Sequence, residues 1–181
     1  MTLALKWRQE PISRTHDRKS FDCGNEDLNK YLRQYARQNH VSGGAKTFVA
    51  VSPSDPSRVL GFYTISPGAM DFSQAPPELT KKLGRYDVPI FRLGRLAVDL
   101  SIQGKGLGGD LFLAAAERAL KVASEIGGVA IVIDAKDEVA ANWYGRFGAV
   151  PMMDDPLSLV LPLAVIAETI DQFDSLNQQS K

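Results

Sequence analysis

The stretch LGRLAVDLSIQGKGLGGDLFLAAAERAL, residues 93–120, decides the fold class. An apolar segment, RLAVD, leads into a turn with glycines at 104, 106, 108 and 109, and the turn leads into a helical pattern. Glycines let a backbone approach a ligand closely, and the first amides of a helix favour negative charge. The stretch therefore predicts a strand, a phosphate- or pyrophosphate-binding turn and a helix from about residue 107 to 124.

The glycine spacing alone does not identify the pyrophosphate ligand, and a dinucleotide has to be considered first. Gly104, Gly106 and Gly109 have the G-x-G-x-x-G spacing of dinucleotide-binding folds. The motif begins late, however, and leaves only about 75 residues for a doubly wound sheet, with Asp134 as a late candidate for the ribose-binding acid. The Gly-Lys-Ser/Thr of a Walker motif is absent, which disfavours nucleotide hydrolysis.

The remaining patterns predict one α/β domain over residues 1–181 with a mixed sheet. A helix follows the N-cap candidate Asn25, and its apolar positions include Tyr35. A hairpin is predicted at 43–66, with its turn at 52–58. A buried strand is predicted at 129–135, a short helix at 137–147 before Gly148, and a last strand at 157–166.

The composition is that of an ordinary globular protein, with 44% hydrophobic residues, 23% charged residues and zero net charge. Cys23 is the single cysteine, so an intrachain disulfide is excluded and a reducing compartment is favoured. We expect Cys23 to be structural. The N-terminus lacks a signal-peptide pattern, and the longest apolar run is too short to span a bilayer. These features predict a cytoplasmic protein.

The motif QGKGLG after RLAVD resembles the coenzyme A signature of GNAT N-acetyltransferases. The segments FDCGNEDLNKYLRQYA, VLGFYTISPGAM, ANWYGRFGAV and DPLSLVLPL make the chain similar to acetyltransferase toxins of type II toxin–antitoxin modules, from Phe21 to Leu163. Ala149 departs from the pattern, since the family often has an aromatic residue there. The resemblance implies a GNAT fold, with a central mixed twisted sheet flanked by helices.

The resemblance also implies acetyl-CoA as co-substrate, without a metal. The turn would hold its pyrophosphate, the end of the preceding strand would bind the pantetheine arm and thioester carbonyl, and a later helix would contribute Asn142. The implied contacts are Leu96, Ala97, Val98, Gln103, Gly104, Lys105, Gly106, Leu107, Gly108, Gly109 and Asn142.

Tyr144 matches the catalytic tyrosine of these toxins. A tyrosine hydroxyl is able to protonate the departing coenzyme A sulfur. Tyr144 also flanks an apolar stripe of Val139, Trp143 and Phe147, so packing is its alternative role. The two histidines, His16 and His40, lie far in sequence from this helix. An α-amine, with a pKa of about 7.7–8.0, needs less help from a base than a lysine does, which favours an α-amine acceptor.

The toxins that this chain resembles acetylate the amino group of aminoacyl-tRNA and so block translation. Residues 28–53 carry four cations and no acid, which fits a contact with phosphates. A solvated helix face is the alternative. The candidate tRNA-binding cations are Lys30, Arg33, Arg37, Lys46, Arg92 and Arg95.

Two other functions remain open at this point. The first is a GNAT acetyltransferase whose acceptor is a small amine or a protein lysine. The second is a catalytically silent module that only binds acetyl-CoA. The resemblance further implies a homodimer and a ribbon-helix-helix antitoxin as partners.

Overall fold

The computed structural model describes residues 5–179, apart from the side chains at 173, 174 and 176–179. Its strands are β1 (Arg8–Pro11), β2 (Lys46–Ser52), β3 (Asp55–Met70), β4 (Val88–Val98), β5 (Ala130–Asp134), β6 (Val150–Pro151) and β7 (Ser158–Pro162). Its helices are α1 (Glu26–Lys30), α2 (Ala36–Ser42), α3 (Pro77–Thr80), α4 (Leu107–Ile126), α5 (Glu138–Gly145) and α6 (Leu163–Gln179). A π-helical segment, Tyr31–Tyr35, joins α1 to α2, and a 3₁₀ turn, Leu100–Ile102, follows β4.

The strands form one sheet in the order β1-β2-β3-β4-β5-β7-β6. The pairs β1–β2, β2–β3, β5–β7 and β6–β7 are antiparallel. The predicted fold class, a mixed sheet flanked by helices, is confirmed. Within residues 5–179, no helix is long and apolar enough to cross a membrane.

The chain divides into two units, each with its own internal contacts. The first comprises Met1–Ser66 and Leu93–Ala115, and the second comprises Pro67–Arg92 and Ala116–Lys181. The single domain expected over residues 1–181 stays a prediction.

The core of the first unit lies between the α1–α2 region and strands β2 and β3. Tyr31 stacks on Phe62 with ring centroids 6.4 Å apart, and Phe21 meets the same ring edge-on at 5.5 Å. Burying one such aromatic or aliphatic side chain stabilises the fold by about 1.5–3 kcal/mol. Other buried members of this core are Ile12, Leu32, Ala36, Val49, Val51, Val59 and Ala97.

The second unit has a core of short apolar strands. Met70 at the end of β3 is buried with Val88 and Ile90 of β4. The continuous apolar run predicted as a buried strand is β5, and its Ala130 and Val132 pack in this core with Val160 of β7. The partly buried residues packed against it include Phe72, Leu79 and Leu83.

The first helix begins as predicted but changes its winding. The Asn25 side chain accepts the Leu28 N–H at 3.1 Å, as expected of an N-cap. The π-helical segment then adds a residue to one turn and rotates the helical residues beyond it. Tyr35, which the 3.6-residue period assigns to the buried face, is therefore 47% exposed.

The last strand is present where it was predicted, but it is shorter than the predicted segment. Residues 157–166 were expected to form a strand, but β7 ends at Pro162 and α6 begins at Leu163. A short apolar run has no period that separates a strand from a buried helix start. Strand β3 also starts four residues earlier than the hairpin pattern indicated, at Asp55. The elements β1, α3 and β6 were not predicted.

Candidate active site

The entrance to the glycine turn (residues 103–109) is organised by Asp99. Its carboxylate accepts the Ser101 N–H at 3.0 Å and the Asp22 N–H at 3.1 Å, and it also accepts the Ser101 hydroxyl. Burial raises the pKa of Asp99, but these hydrogen bonds outweigh burial and hold that pKa below its ordinary value. Asp99 is therefore an ionised cap that fixes where β4 ends and the turn begins.

Gln103 braces the turn through its side chain and its backbone. Its side-chain amide donates to the Val98 carbonyl at 2.9 Å and to the Cys23 carbonyl at 3.0 Å. Its backbone N–H donates to the Asp99 carbonyl at 3.1 Å. The sequence prediction included the Gln103 backbone amide in the pyrophosphate cradle, and in this structure that N–H donates within the turn; its contact with the coenzyme stays a prediction.

The rest of the glycine turn has the form of an anion site. Gly104 and Gly106 have φ values of +78° and +89°, a region that L side chains rarely adopt. A Cβ at either position would meet no atom within 4 Å, so the backbone conformation, not crowding, requires glycine. Lys105 is exposed, whereas Leu107 is buried and anchors the start of α4. The first N–H groups of α4 have no preceding turn to donate to.

Asp110 places an acid in the first turn of α4, where it complements the helix dipole. The Trp7 indole N–H donates to its Oδ2 at 3.2 Å. A carboxylate directed toward the glycine turn would repel a phosphate bound there. The hydrogen bond from Trp7 instead joins the Asp110 carboxylate to the N-terminal segment.

Gly61 is a residue of this region that sequence reasoning missed. A Cβ on Gly61 would lie 2.9 Å from the Ala97 carbonyl oxygen and 2.8 Å from Leu111 Cδ1. Strand β3 therefore approaches the end of β4 and helix α4 as closely as the backbone permits. The Ala97 side chain is itself buried in the core of the first unit. A glycine inside an apolar strand is the available sequence signal for such an approach.

Tyr144 belongs to the second unit and lies on α5. The Asp137 side chain caps this helix by accepting the Ala140 N–H at 2.8 Å. Tyr144 is only 8% exposed, and the Trp143 ring lies edge-on to it at 4.9 Å. Burial raises the pKa of the Tyr144 hydroxyl well above its ordinary value. The hydroxyl is therefore protonated at physiological pH, so it is able to donate a hydrogen bond.

Asn142 is on α5 but does not share the Tyr144 face. Successive helical residues are about 100° apart, so a two-residue step points the side chains in nearly opposite directions. Asn142 is exposed and lines a cavity of about 500 Å³. The other lining residues are Glu138, Ala141, Gly145, Ala149, Pro151, Pro156, Leu157 and Leu159.

The candidate cations of the first unit differ in how they are engaged. Arg33 forms an ion pair with Glu26. Lys46 Nζ donates to the His40 carbonyl at 2.8 Å. The Arg95 guanidinium lies 3.6 Å from the centre of the Tyr31 ring, a cation–π contact. Lys30 is exposed and Arg37 is partly exposed.

Arg92, the remaining candidate cation, lies in the second unit. It pairs with Asp134 at 2.6 Å. The same pairing uses the residue considered as a ribose-binding acid.

The histidines have internal roles in the first unit. His16 is 4% exposed, and its Nδ1 accepts the Ser13 N–H at 3.0 Å. The ring proton is then on Nε2, which donates to Glu10 at 3.1 Å and lowers the pKa of that carboxyl. The pKa of His40 is lowered mainly because the ring is partly buried, and to a smaller extent because the positive charge of Lys46 is nearby.

Cys23 has a structural place beside the glycine turn. Its N–H donates to Asn29 Oδ1 at 2.9 Å, and its carbonyl accepts the Gln103 side chain. Among the residues that the structure describes, no group of three or more His, Cys, Asp and Glu side chains is placed to hold a metal ion.

No family model matches the chain. The tRNA-acetylating toxin of Mycobacterium tuberculosis (strain ATCC 25618 / H37Rv) is 37% identical over 150 residues, which are 83% of this chain and 88% of that protein. The probable toxin TacT of Sinorhizobium fredii (strain NBRC 101917 / NGR234) is 25% identical over 174 residues, which are 91% and 96% of the two chains.

Solved structures share the fold over nearly the whole chain. AtaT complexed with acetyl-methionyl-tRNAfMet superposes with a TM-score of 0.84 at 25% identity, covering 91% of this chain and 99% of that one. AtaTR bound with acetyl-CoA gives 0.80 at 25% identity, covering 91% and 98%. A Tyr→Phe variant of AtaT bound to the C-terminus of the antitoxin AtaR gives 0.79 over 90% and 97%, and at 23% identity this likeness concerns the fold alone.

Proposed function

The chain belongs to the family of tRNA-acetylating toxins, and we propose that it transfers the acetyl group of acetyl-CoA to the α-amino group of aminoacyl-tRNA and so blocks translation. It is an N-acetyltransferase with acetyl-CoA as co-substrate. The observation that carries the proposal within this structure is the glycine turn. Gly104 and Gly106 adopt positive φ values there, directly before the N-terminus of a 20-residue helix.

In this proposal the amides from Gly104 to Gly109 hold the coenzyme A pyrophosphate, and Lys105 adds positive charge. Leu96, Ala97 and Val98 offer backbone groups to the pantetheine arm and to the thioester oxygen. Such donors, aimed at a developing oxyanion, are worth a few kcal/mol in the transition state. Gln103 contributes as the brace of the turn. Asn142 is assigned to an amide of the pantetheine arm.

Tyr144 is proposed to supply the proton in the acyl transfer. The amine nitrogen attacks the thioester carbon, the carbon–sulfur bond breaks, and the sulfur takes up a proton. Because burial raises the pKa of Tyr144, a lasting tyrosinate is unfavourable. We therefore expect the hydroxyl to give its proton to the sulfur while it recovers one from the attacking amine. This relay requires no separate general base when the acceptor is an α-amine.

The type of antitoxin and the oligomeric state of the toxin are also part of the proposal. We infer that the antitoxin is of the ribbon-helix-helix type and that the toxin acts as a homodimer in the cytoplasm. Exposed apolar side chains on the second unit, Val139 and Val150 among them, support a protein interface. Sedimentation of the purified chain with and without its antitoxin measures both assemblies.

A translating lysate supplied with radiolabelled acetyl-CoA tests the activity. We expect label in aminoacyl-tRNA with the wild type and none with Tyr144→Phe. Tyr63→Phe is a matched control, because it removes another buried tyrosine hydroxyl, which donates to Gln9 at 2.9 Å. Label in protein or in small amines would keep the coenzyme but overturn the acceptor. Binding of acetyl-CoA without transfer would favour a silent binding module.

A further inference from the structure

A second cavity lies in the second unit, on the segment between β3 and β4. It has a volume of about 570 Å³ and is lined by Asp71, Phe72, Arg85, Tyr86 and Asp87. None of these residues was assigned to coenzyme binding or to proton transfer. The cavity thus combines two aromatic rings, one guanidinium and two carboxylates outside the site described above.

Tyr86 is the prominent feature of this cavity. It is 82% exposed, although an aromatic ring gains free energy on leaving water. Phe72 is partly buried against the core of the second unit, which fixes its ring beside the cavity. An exposed ring beside a fixed one provides a stacking surface for a planar ligand.

The segment that carries the cavity has both cations and carboxylates, and of these Asp71, Arg85 and Asp87 line the cavity. Lys81, Lys82 and Arg85 lie within five residues and are exposed. The carboxylate of Asp71 accepts the Ser73 hydroxyl at 2.6 Å and the Ser73 N–H at 2.8 Å, and these bonds lower its pKa. Glu78 and Asp87 add further negative charge to the segment.

This distribution favours a nucleotide over a phosphate alone or an apolar peptide. A phosphate inside the cavity would meet two carboxylates, and an apolar side chain would place no hydrogen-bond donor beside either carboxylate. A base with exocyclic amino groups donates hydrogen bonds to carboxylates while its face stacks on an aromatic ring. The flanking phosphates of the same strand then contact the lysines.

We propose that this cavity binds one unpaired nucleotide of the RNA substrate, with the base stacked on Tyr86, its amino edge toward Asp71 and Asp87, and its phosphates on Lys81, Lys82 and Arg85. The proposal rests on the proposed function, because it takes tRNA as the substrate. It further implies that guanine, cytosine and adenine bind better than uracil, which lacks an exocyclic amine.

The test measures binding of uncharged tRNA to the full chain for Tyr86→Ala, Tyr86→Phe and Met153→Ala. Tyr86→Ala is expected to raise the Kd by about 5- to 100-fold, the range that loss of one stacked base gives. Tyr86→Phe keeps the ring and is expected to retain tight binding. Met153→Ala truncates a fully exposed side chain of the same unit and controls for surface change. Affinity for acetyl-CoA and the melting temperature are expected to be the same in all four proteins.

Single-stranded tetranucleotides of A, C, G and U provide the second arm. Weaker binding of the U oligomer, with that difference abolished by Asp71→Asn and Asp87→Asn together, supports the proposed base contact. Wild-type affinity for tRNA in Tyr86→Ala overturns the proposal, and so does a loss of antitoxin binding in place of RNA binding. Failure of the wild type to acetylate aminoacyl-tRNA is a different result, which contradicts the proposed function and leaves the direct binding measurement to decide this cavity.

Discussion

At the scale of single residues, the role proposed for Tyr144 requires a hydroxyl that is protonated at physiological pH. Tyr144→Phe is expected to lower kcat for aminoacyl-tRNA by about 10²–10⁴-fold, the usual worth of a positioned proton donor. Affinity for acetyl-CoA should change little, because no coenzyme contact is assigned to the hydroxyl. Steady-state kinetics combined with calorimetric titration of acetyl-CoA separate the two effects. An equal loss of affinity and rate would mean that Tyr144 serves packing.

Position 61 requires glycine because there is no room for a Cβ atom beside the neighbouring strand and helix. Gly61→Ala places a methyl group 2.8–2.9 Å from Leu111 and from the Ala97 carbonyl. We expect this crowding to lower the free energy of unfolding by about 1–3 kcal/mol. Gly145→Ala is the matched control, because its Cβ would meet no atom within 4 Å, and alanine within a helix is expected to stabilise by about 0.5–1 kcal/mol. Urea titrations measure both changes, and equal free energies for the two variants would contradict the close approach.

At the scale of secondary-structure elements, the helix that carries the candidate cations is interrupted by the π-helical segment. A spacing of three and four residues therefore does not align Lys30, Arg33 and Arg37 in the way that the sequence suggests. Arg33 is further engaged with Glu26. Exposed ion pairs are weak, but the pair still competes with a phosphate for the guanidinium.

We expect Arg37→Glu to weaken tRNA binding more than Arg33→Glu does, and the double variant to weaken it most. Each phosphate contact that is lost should reduce the slope of log Kd against log salt by about 0.7–0.9. Filter binding over a range of salt concentrations gives these slopes, with acetyl-CoA affinity as the unchanged control. Identical tRNA affinity in the double variant and the wild type would remove this helix from the RNA surface.

The elements also divide into those that local sequence determines and those that it does not. Asn25 and the glycines of the turn were recognised because a side-chain cap and a positive φ act within a few residues. The π-helical segment differs from an α-helix by one residue in a turn and has no composition of its own. The brace from Gln103 to Cys23 joins residues 80 positions apart, and no spacing rule reveals such a contact.

At the scale of the whole molecule, the residues assigned above are found in both units. The glycine turn belongs to the first unit and Tyr144 to the second. The zero net charge of the chain gives no long-range attraction for RNA, so affinity must come from local cations. This balance is why composition alone indicated neither the substrate nor the surface that meets it.

Burial of Tyr144 also has a consequence for the stability of the whole fold. Below the unfolded pKa of about 10, Tyr144 is protonated in both the folded and the unfolded chain, so its ionisation does not change the free energy of unfolding. Above that pH the unfolded chain loses the proton while the folded chain keeps it, so stability falls as the pH rises toward the raised folded pKa. The loss attributable to Tyr144 is therefore confined to the alkaline side.

Urea unfolding of the wild type and of Tyr144→Phe between pH 8 and about pH 11 isolates this contribution, because the other tyrosines and the lysines are common to both proteins. We expect the wild-type free energy of unfolding, minus that of the variant, to be constant up to about pH 10 and to decrease above it. A difference that stays constant to the highest pH would show that the hydroxyl reaches solvent in the folded chain. Tyr144 would then ionise near its ordinary pKa, and the proton relay proposed for it would lose its physical basis.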